Sequence, residues 1–166
     1  MPALEFWSAL SGLAGRYILV PATILLITYL LYNKKKKDAL LVFFAWYGGT
    51  ALSAILKRIF QLSRPENPLI PIDGYAFPSG HALSAVIFYS LLMIIFSEKI
   101  KNKLAKIIFI SANILIILLV GLSRIILQVH YVRDVIGGYV IGLVWLFVIY
   151  YFLENKKVKR ALKINS

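Results

Sequence analysis

The chain has 166 residues, of which 60% are hydrophobic and only 16% are charged. Surface-to-volume scaling limits the core of a soluble domain of this length, so the apolar excess must face lipid. The net charge of +12 invites a nucleic-acid reading, which the placement of the charges removes below, and the absence of cysteine excludes disulfides and thiolate metal sites.

In chain order, residues 3–13 come first, a short mixed stretch with Phe6, Trp7 and Leu10 at helical spacing. They read as an interfacial helix lying along the membrane surface, the alternative being a continuous extension of the first span. No cleavable signal peptide of the usual form is expected, because no basic region precedes the first apolar run and Glu5 interrupts it. A spanning helix needs about 20 apolar residues. Five runs meet that requirement, at residues 16–33, 38–56, 78–96, 104–122 and 134–152, each nearly free of internal charge. Helix is the expected state of all five, since a helix in lipid satisfies its own backbone hydrogen bonds. Residues 64–77 hold Pro65, Pro68, Pro71 and Gly74, and form the one long loop. The expected fold is all-α. It is a single domain over residues 1–166, a polytopic transmembrane helix bundle with five spans plus a short N-terminal interfacial helix.

Five spans place the connections alternately on two sides. One side receives thirteen basic residues, in the turn at residues 34–37, at Lys99, Lys101, Lys103 and Lys106, and in the tail at Lys156, Lys157, Lys159, Arg160 and Lys163. The other receives six: Arg16, Lys57, Arg58, Arg64, Arg124 and Arg133. The positive-inside rule makes the first side cytoplasmic and turns the second outward. Most of the basic charge is therefore topological, and no nucleic-acid partner is expected.

The chemistry gathers on the outer side. Lys57 closes the second span, Pro78-Ser79-Gly80-His81 opens the third, Ser123-Arg124 closes the fourth, and His130 and Asp134 lead into the fifth. Taken singly, each has an ordinary reading. Lys57, Arg58 and Arg64 suit snorkelling side chains, and Pro78 and Ser79 suit a helix start. His81 suits an interfacial histidine, and Asp134 suits a helix cap. Those readings leave unexplained why both histidines of the chain fall on this one face with the cations.

A phosphate fits the set. Lys57 and Arg64 are seven residues apart and share a face if the helix continues two turns. Arg124 joins them from a neighbouring helix end, and three such cations neutralise a phosphoryl group. The start of the third span offers backbone N–H groups at Ser79, Gly80 and His81 to an anion, and Gly80 allows close approach. His130 and Asp134, four apart, meet across one helical turn. A carboxylate on one imidazole nitrogen then fixes the tautomer and leaves the other nitrogen free to attack phosphorus. His81 is the second proton-active group, placed to protonate the leaving oxygen. No carboxylate cluster suits a metal, so basic side chains are expected to stabilise the transition-state charge, with no metal and no cofactor.

The pattern Lys57-x6-Arg64-Pro65, Pro78-Ser79-Gly80-His81, and Ser123-Arg124-x5-His130-x3-Asp134 resembles the three-part signature of the type 2 phosphatidic acid phosphatase (PAP2) superfamily. All eleven positions are present in order, over residues 57–134. The resemblance implies a metal-independent lipid phosphatase that works through a phosphohistidine on His130. Asp134 assists, His81 acts as the acid, and Lys57, Arg64, Ser79, Gly80 and Arg124 hold the phosphoryl oxygens. Membrane members of the family usually have six spans, so the first family helix is expected to be reduced here. Candidate substrates are lipid A 1-phosphate, undecaprenyl pyrophosphate, phosphatidylglycerophosphate and phosphatidic acid, with the first two branches nearest in architecture. A bacterial inner membrane with the site facing the periplasm is the expected setting. Membrane lipids and a lipid phosphate are the expected partners, without an obligate protein partner. The rival readings are a lipid phosphotransferase on the same scaffold and a non-enzymatic lipid-binding or lipid-flipping protein.

Overall fold

The computed structural model describes residues 2–155. The five basic tail residues counted above lie outside them. Six α-helices follow in order: α1 (Pro2–Gly12), α2 (Arg16–Tyr32), α3 (Lys36–Phe60), α4 (Gly80–Phe96), α5 (Lys103–Ile126) and α6 (Val132–Glu154), with a 3-10 turn at Ser97–Lys99. No strand occurs among the described residues. Five stretches are long and apolar enough to cross a membrane: Pro2–Tyr32, Lys36–Phe60, Gly80–Lys99, Lys103–Ile126 and Val132–Glu154.

The helices outrun the apolar runs at their charged ends. α3 continues through Lys57 and Arg58, and α5 through Arg124. Long basic side chains let a helix end carry charge at the edge of the apolar layer without breaking. The large hydrophobic side chains that remain exposed, such as Phe147, Leu104 and Ile59, lie on the outer faces of the bundle, as lipid solvation requires.

α4 is the central element. Its span is 56% buried, against 22% for each of α5 and α6. It packs on α3, α5 and α6, while α2 packs on α3 and α1 on α5. Leu83, Ala85, Ile87 and Leu91 of α4 form the middle of the core with Leu41, Val42 and Trp46 of α3. α6 comes so close to the start of α4 that a Cβ on Gly138 would stand 2.7 Å from the Ser79 carbonyl oxygen. That contact sets the depth at which residues 79–81 meet residues 130–134.

The N-terminal segment forms its own helix. Residues Leu13, Ala14 and Gly15 turn between α1 and α2, and the Leu13 carbonyl accepts a hydrogen bond from the Tyr89 hydroxyl at 3.0 Å. That bond ties the turn to α4, while α1 itself packs on α5 and brings Ser11 into the interior. At the opposite end, Lys37 of α3 pairs with Glu154 of α6 and ties those two helices together.

Candidate active site

Two turns built on unusual residues shape the site. α3 stops at Gln61, which adopts a left-handed conformation (φ 48°). α5 ends in the same way at Gln128 (φ 54°), where the Gln128 N–H donates to the Ile125 carbonyl at 2.9 Å and the Val129 N–H to the Arg124 carbonyl at 3.2 Å. These paired bonds are the Schellman arrangement, usually made with glycine. It folds residues 127–131 back over the end of α5, so that the His130 N–H also faces the Arg124 carbonyl, at 3.3 Å.

Arg64 differs from its expected place. α3 does not continue for the two turns that would put Lys57 and Arg64 on one helix face, because Gln61 breaks it. Arg64 sits instead in the extended loop and reaches inward. Its Nε donates to the Gly74 carbonyl at 2.8 Å and its Nη1 to the Val129 carbonyl at 2.8 Å, while Nη2 donates to the carbonyls of Asp73 and Tyr75, each at 3.2 Å. The Lys57 Nζ donates to the same Tyr75 carbonyl at 2.8 Å and to that of Ala76 at 3.2 Å. The two cations thus converge through the loop that both of them grip.

The remaining Arg64 contact concerns the imidazole. Arg64 Nη1 lies 3.2 Å from His130 Nε2. A guanidinium has no acceptor, so Nε2 must accept and the ring proton resides on Nδ1. Nδ1 lies 3.5 Å from Asp134 Oδ2. That is too long for a hydrogen bond, and Nδ1 is buried without a hydrogen-bond partner among the described residues. The same Asp134 oxygen accepts from the Tyr131 N–H at 2.9 Å, so the carboxylate both caps α6 and faces the imidazole. His130 is 4% exposed and Asp134 is fully buried. Burial, and then the charges of Arg64, Lys57 and Arg124, hold the His130 pKa well below its ordinary 6.5. Together they outweigh the single carboxylate, and the free site keeps this ring neutral.

A neutral buried ring disfavours the proton that the unfolded chain would bind, so its stabilisation is complete above pH 6.5 and is lost as the pH falls below it. The loss approaches about 1.4 kcal/mol per pH unit. With two histidines in the chain, imidazole NMR signals are assignable from one variant. The His130 signal should remain that of a neutral ring down to about pH 5. Titration near pH 6.5 would contradict the electrostatic picture.

Arg124 is 2% exposed, and its Nη1 donates to the Ser11 hydroxyl. Its Nε has no partner, and no carboxylate among the described residues forms an ion pair with it. A buried guanidinium without a counter-charge costs several kcal/mol and invites an anion. Ser79 at the head of α4 is also buried, and its hydroxyl has no partner.

The expectation for the α4 N-terminus needs one correction. The Ser79 N–H is not open to a ligand, because it donates to the Asp134 carbonyl at 2.9 Å. This bond joins α4 to the start of α6. The N–H groups of Gly80, His81 and Ala82, in the first helical turn, have no intrahelical acceptor. A Cβ on Gly80 would meet nothing nearer than the Ser53 hydroxyl, at 4.0 Å. The protein's own packing therefore does not require glycine here, and the open space is available to a ligand. Gly80→Ala should leave the melting temperature within about 2 °C of wild type. It should lower phosphate-monoester turnover by at least about tenfold, read by phosphate release, through loss of close approach to the backbone. Full activity in this variant would exclude the α4 N-terminus as the anion site.

Lys57, Gly80, His81 and Arg124 line one cavity of about 970 Å³, together with Ser11, Ser53 and apolar side chains including Trp46, Ile70 and Ile72. Arg64, Ser79, His130 and Asp134 are not on its walls. They connect to it through Tyr75, the Ser79–Asp134 bond and the end of α5. All eight residues singled out from the sequence thus gather at one end of the bundle, Gly80 and His81 as cavity walls and the others through hydrogen bonds to the loop, to each other or to the end of α5. Sequence reasoning missed Ser11, because nothing in an 11-residue apolar helix marks one serine as the partner of an arginine 113 positions away. It also missed Ser53, whose one signal is its position one turn before Lys57.

Fold and site define a polytopic membrane protein with a cluster of buried cations beside an imidazole that faces a carboxylate. The model of the PAP2 superfamily matches residues 38–157, and the chain belongs to that family. It is 29% identical over 94% of its length, and 77% of the relative's, to phosphatidylglycerophosphatase B of Bacillus subtilis (strain 168). It is 27% identical to an undecaprenyl-diphosphatase of Sulfolobus acidocaldarius, over 93% of this chain and 74% of that one. Among solved structures, it superposes on a transmembrane PAP2 type phosphatidylglycerolphosphate phosphatase from Bacillus subtilis with a TM-score of 0.82 and 26% identity, covering 98% of this chain and 78% of that one. Aquifex aeolicus LpxE superposes with a TM-score of 0.70 and 26% identity, over 90% and 86% of the two chains. These likenesses match the branches named from the sequence and support a lipid-phosphatase activity for this integral membrane protein.

Proposed function

We propose that the protein hydrolyses a terminal phosphate from a membrane lipid through a phosphohistidine on His130. The observation that carries this reading is the contact of Arg64 Nη1 with His130 Nε2, opposite the Asp134 carboxylate at Nδ1. It favours the one neutral tautomer whose lone pair points toward the cations.

In the first step, Nε2 attacks phosphorus and the bond from phosphorus to the lipid oxygen breaks. Once the negative charge of the substrate phosphate offsets the cations, His81 holds a proton and gives it to the departing oxygen, and Asp134 stabilises the imidazolium that forms on His130. In the second step, water attacks the phosphorus of phospho-His130, His81 takes the water's proton, and inorganic phosphate leaves. Lys57, Arg64, Arg124 and the first N–H groups of α4 hold the phosphoryl oxygens, with the Ser79 hydroxyl as a further donor. Arg64 exchanges some of its carbonyl contacts for phosphate oxygens as the substrate enters.

Phosphatidylglycerophosphate is the first substrate to test, since the likenesses to the Bacillus subtilis phosphatases rest on nearly the whole chain. Undecaprenyl diphosphate and lipid A 1-phosphate follow. The apolar walls of the cavity suit a lipid stem beneath a small polar headgroup. Purified wild type and a His130 variant, assayed on this panel, should release free phosphate with the wild type alone. Transfer of labelled phosphate to a second lipid, with no free phosphate, would replace hydrolysis by phosphotransfer.

The chemistry is proposed to need no metal. Among the described residues, no group of three or more His, Asp or Glu side chains is placed to hold one, and the cations supply the charge a metal would bring. Activity should persist within about twofold in excess EDTA. Vanadate, a mimic of pentavalent phosphorus, should inhibit. Loss of activity on chelation, restored by a divalent ion, would overturn the metal-free reading. We further place the protein in a bacterial inner membrane with the site outward. The lysine-rich end of the bundle, with residues 34–37, Lys99, Lys101, Lys103 and Lys106, supports that orientation.

A further inference from the structure

The end of the bundle opposite the catalytic network carries a second cavity, of about 770 Å³, between the start of α3 and the later halves of α4 and α6. Its α6 wall is apolar, formed by Leu143, Leu146 and Phe147, and faces Ile94 and Ile95 of α4, with Ser90 and Ser97 among them. It runs along α6 from Leu143 to Tyr150, about 10 Å at 1.5 Å per residue. Ile94, Leu143 and Phe147 are exposed on the outside of the bundle, so the groove opens sideways to lipid rather than only to water.

The mouth is cationic. Lys37 is committed, paired with Glu154 and lying over the Tyr150 ring at 5.9 Å. Lys35 and Lys99 are different. Their side chains lie within interaction distance of one another, and neither forms an ion pair with a carboxylate among the described residues. Lys99 is held over the rings of Phe96, at 4.4 Å, and Tyr29, at 5.9 Å. Asp38 and Glu98 also line the cavity. Asp38, in the first turn of α3, faces Lys99 electrostatically and offsets part of the positive charge, without forming an ion pair with it. Eight lysines in residues 34–37 and at Lys99, Lys101, Lys103 and Lys106 outnumber the three acids Asp38, Glu98 and Glu154 at this end. Two like charges brought together at the head of a lipid-facing apolar groove complement one ligand chemistry, a phosphate carrying an acyl chain.

We propose that this end of the bundle binds one anionic phospholipid from the adjacent leaflet, its phosphate between Lys35 and Lys99 and one acyl chain in the groove between α4 and α6. The site is separate from the catalytic network and does not depend on the reaction assigned there. The lipid would brace α4, on which Gly80 and His81 are mounted, from its other end.

The test uses the full chain in a neutral detergent, with phosphatidylglycerol and phosphatidylcholine of matched acyl chains titrated and bound lipid counted by native mass spectrometry. Phosphatidylglycerol should bind as one copy and more tightly than phosphatidylcholine. The double substitution Lys35→Gln and Lys99→Gln should weaken it about 30-fold, from roughly one decade or less per lysine. Lys57→Gln, at the catalytic end, should leave this binding within twofold. Leu143→Trp, which fills the groove, should weaken it while leaving both lysines in place, and it decides the matter if the double variant does not fold. Equal binding of the two lipids, undiminished binding by the double variant or by Leu143→Trp, or loss with Lys57→Gln would overturn the proposal. Inorganic phosphate displacing the lipid at equal concentration would also overturn it, by reducing the site to a bare anion pocket.

Discussion

His130→Ala should lower phosphate release from the preferred lipid by at least about 10⁴-fold while leaving the helical content and melting behaviour close to wild type. Among the described residues, the imidazole is the one group placed between a guanidinium at Nε2 and a carboxylate facing Nδ1. Its replacement removes a neutral ring from a cationic site, so the fold loses no counter-charge. A His130→Ala protein that retains a tenth of the wild-type turnover would mean that another nucleophile does the work. Asp134→Asn should cost less than the loss of His130. The amide keeps the Tyr131 cap through its oxygen but no longer stabilises an imidazolium.

The second large effect is expected at Arg124. Arg124→Ala should reduce turnover by about 10²–10³-fold, the range seen when one preorganised donor to a developing anion is removed. Arg133→Ala, by contrast, should stay within about twofold. The Arg133 side chain is 63% exposed and reaches Asp134 at 3.8 Å from outside, where solvent screens the pair. Arg124→Met separates function from stability more sharply. It keeps most of the side-chain volume and removes an unpaired buried charge, so the melting temperature should hold or rise while activity is lost. Equal effects at positions 124 and 133 would show that the buried guanidinium is not the phosphate ligand.

Ser11 bears on the same residue. Its hydroxyl is the one side-chain partner of Arg124 among the described residues, and it arrives on α1, which the sequence suggested as an interfacial helix or an extension of the first span. The short N-terminal helix therefore has a structural task at the site as well as at the edge of the bundle.

The helices were readable because lipid leaves no other way to satisfy a backbone over 20 apolar residues. Their ends were less so. The boundaries at Lys57 and Arg124 fell inside helices because long cations tolerate the interface, and the turns at Gln61 and Gln128 use a residue that does not announce a left-handed backbone. The same ambiguity displaced Arg64. Seven residues from Lys57 suggested a shared helix face, whereas the turn at Gln61 sends it into the loop to grip carbonyls at residues 73–75 and 129. The convergence of Lys57, His81, Arg124 and His130 was legible, since span parity alone brings those helix ends to one side. The Ser79–Asp134 bond was not, because it depends on how closely α6 approaches α4 at Gly138, a matter of packing rather than of pattern.

The covalent intermediate offers the most direct test. Wild-type protein mixed with a ³²P-labelled lipid phosphate and quenched in alkali within one turnover should carry label that is stable to base and lost in acid, and the labelled peptide should contain His130. No such label should form on His130→Ala. Label on another residue, or full-rate turnover with no labelled protein at any quench time, would contradict attack by this imidazole.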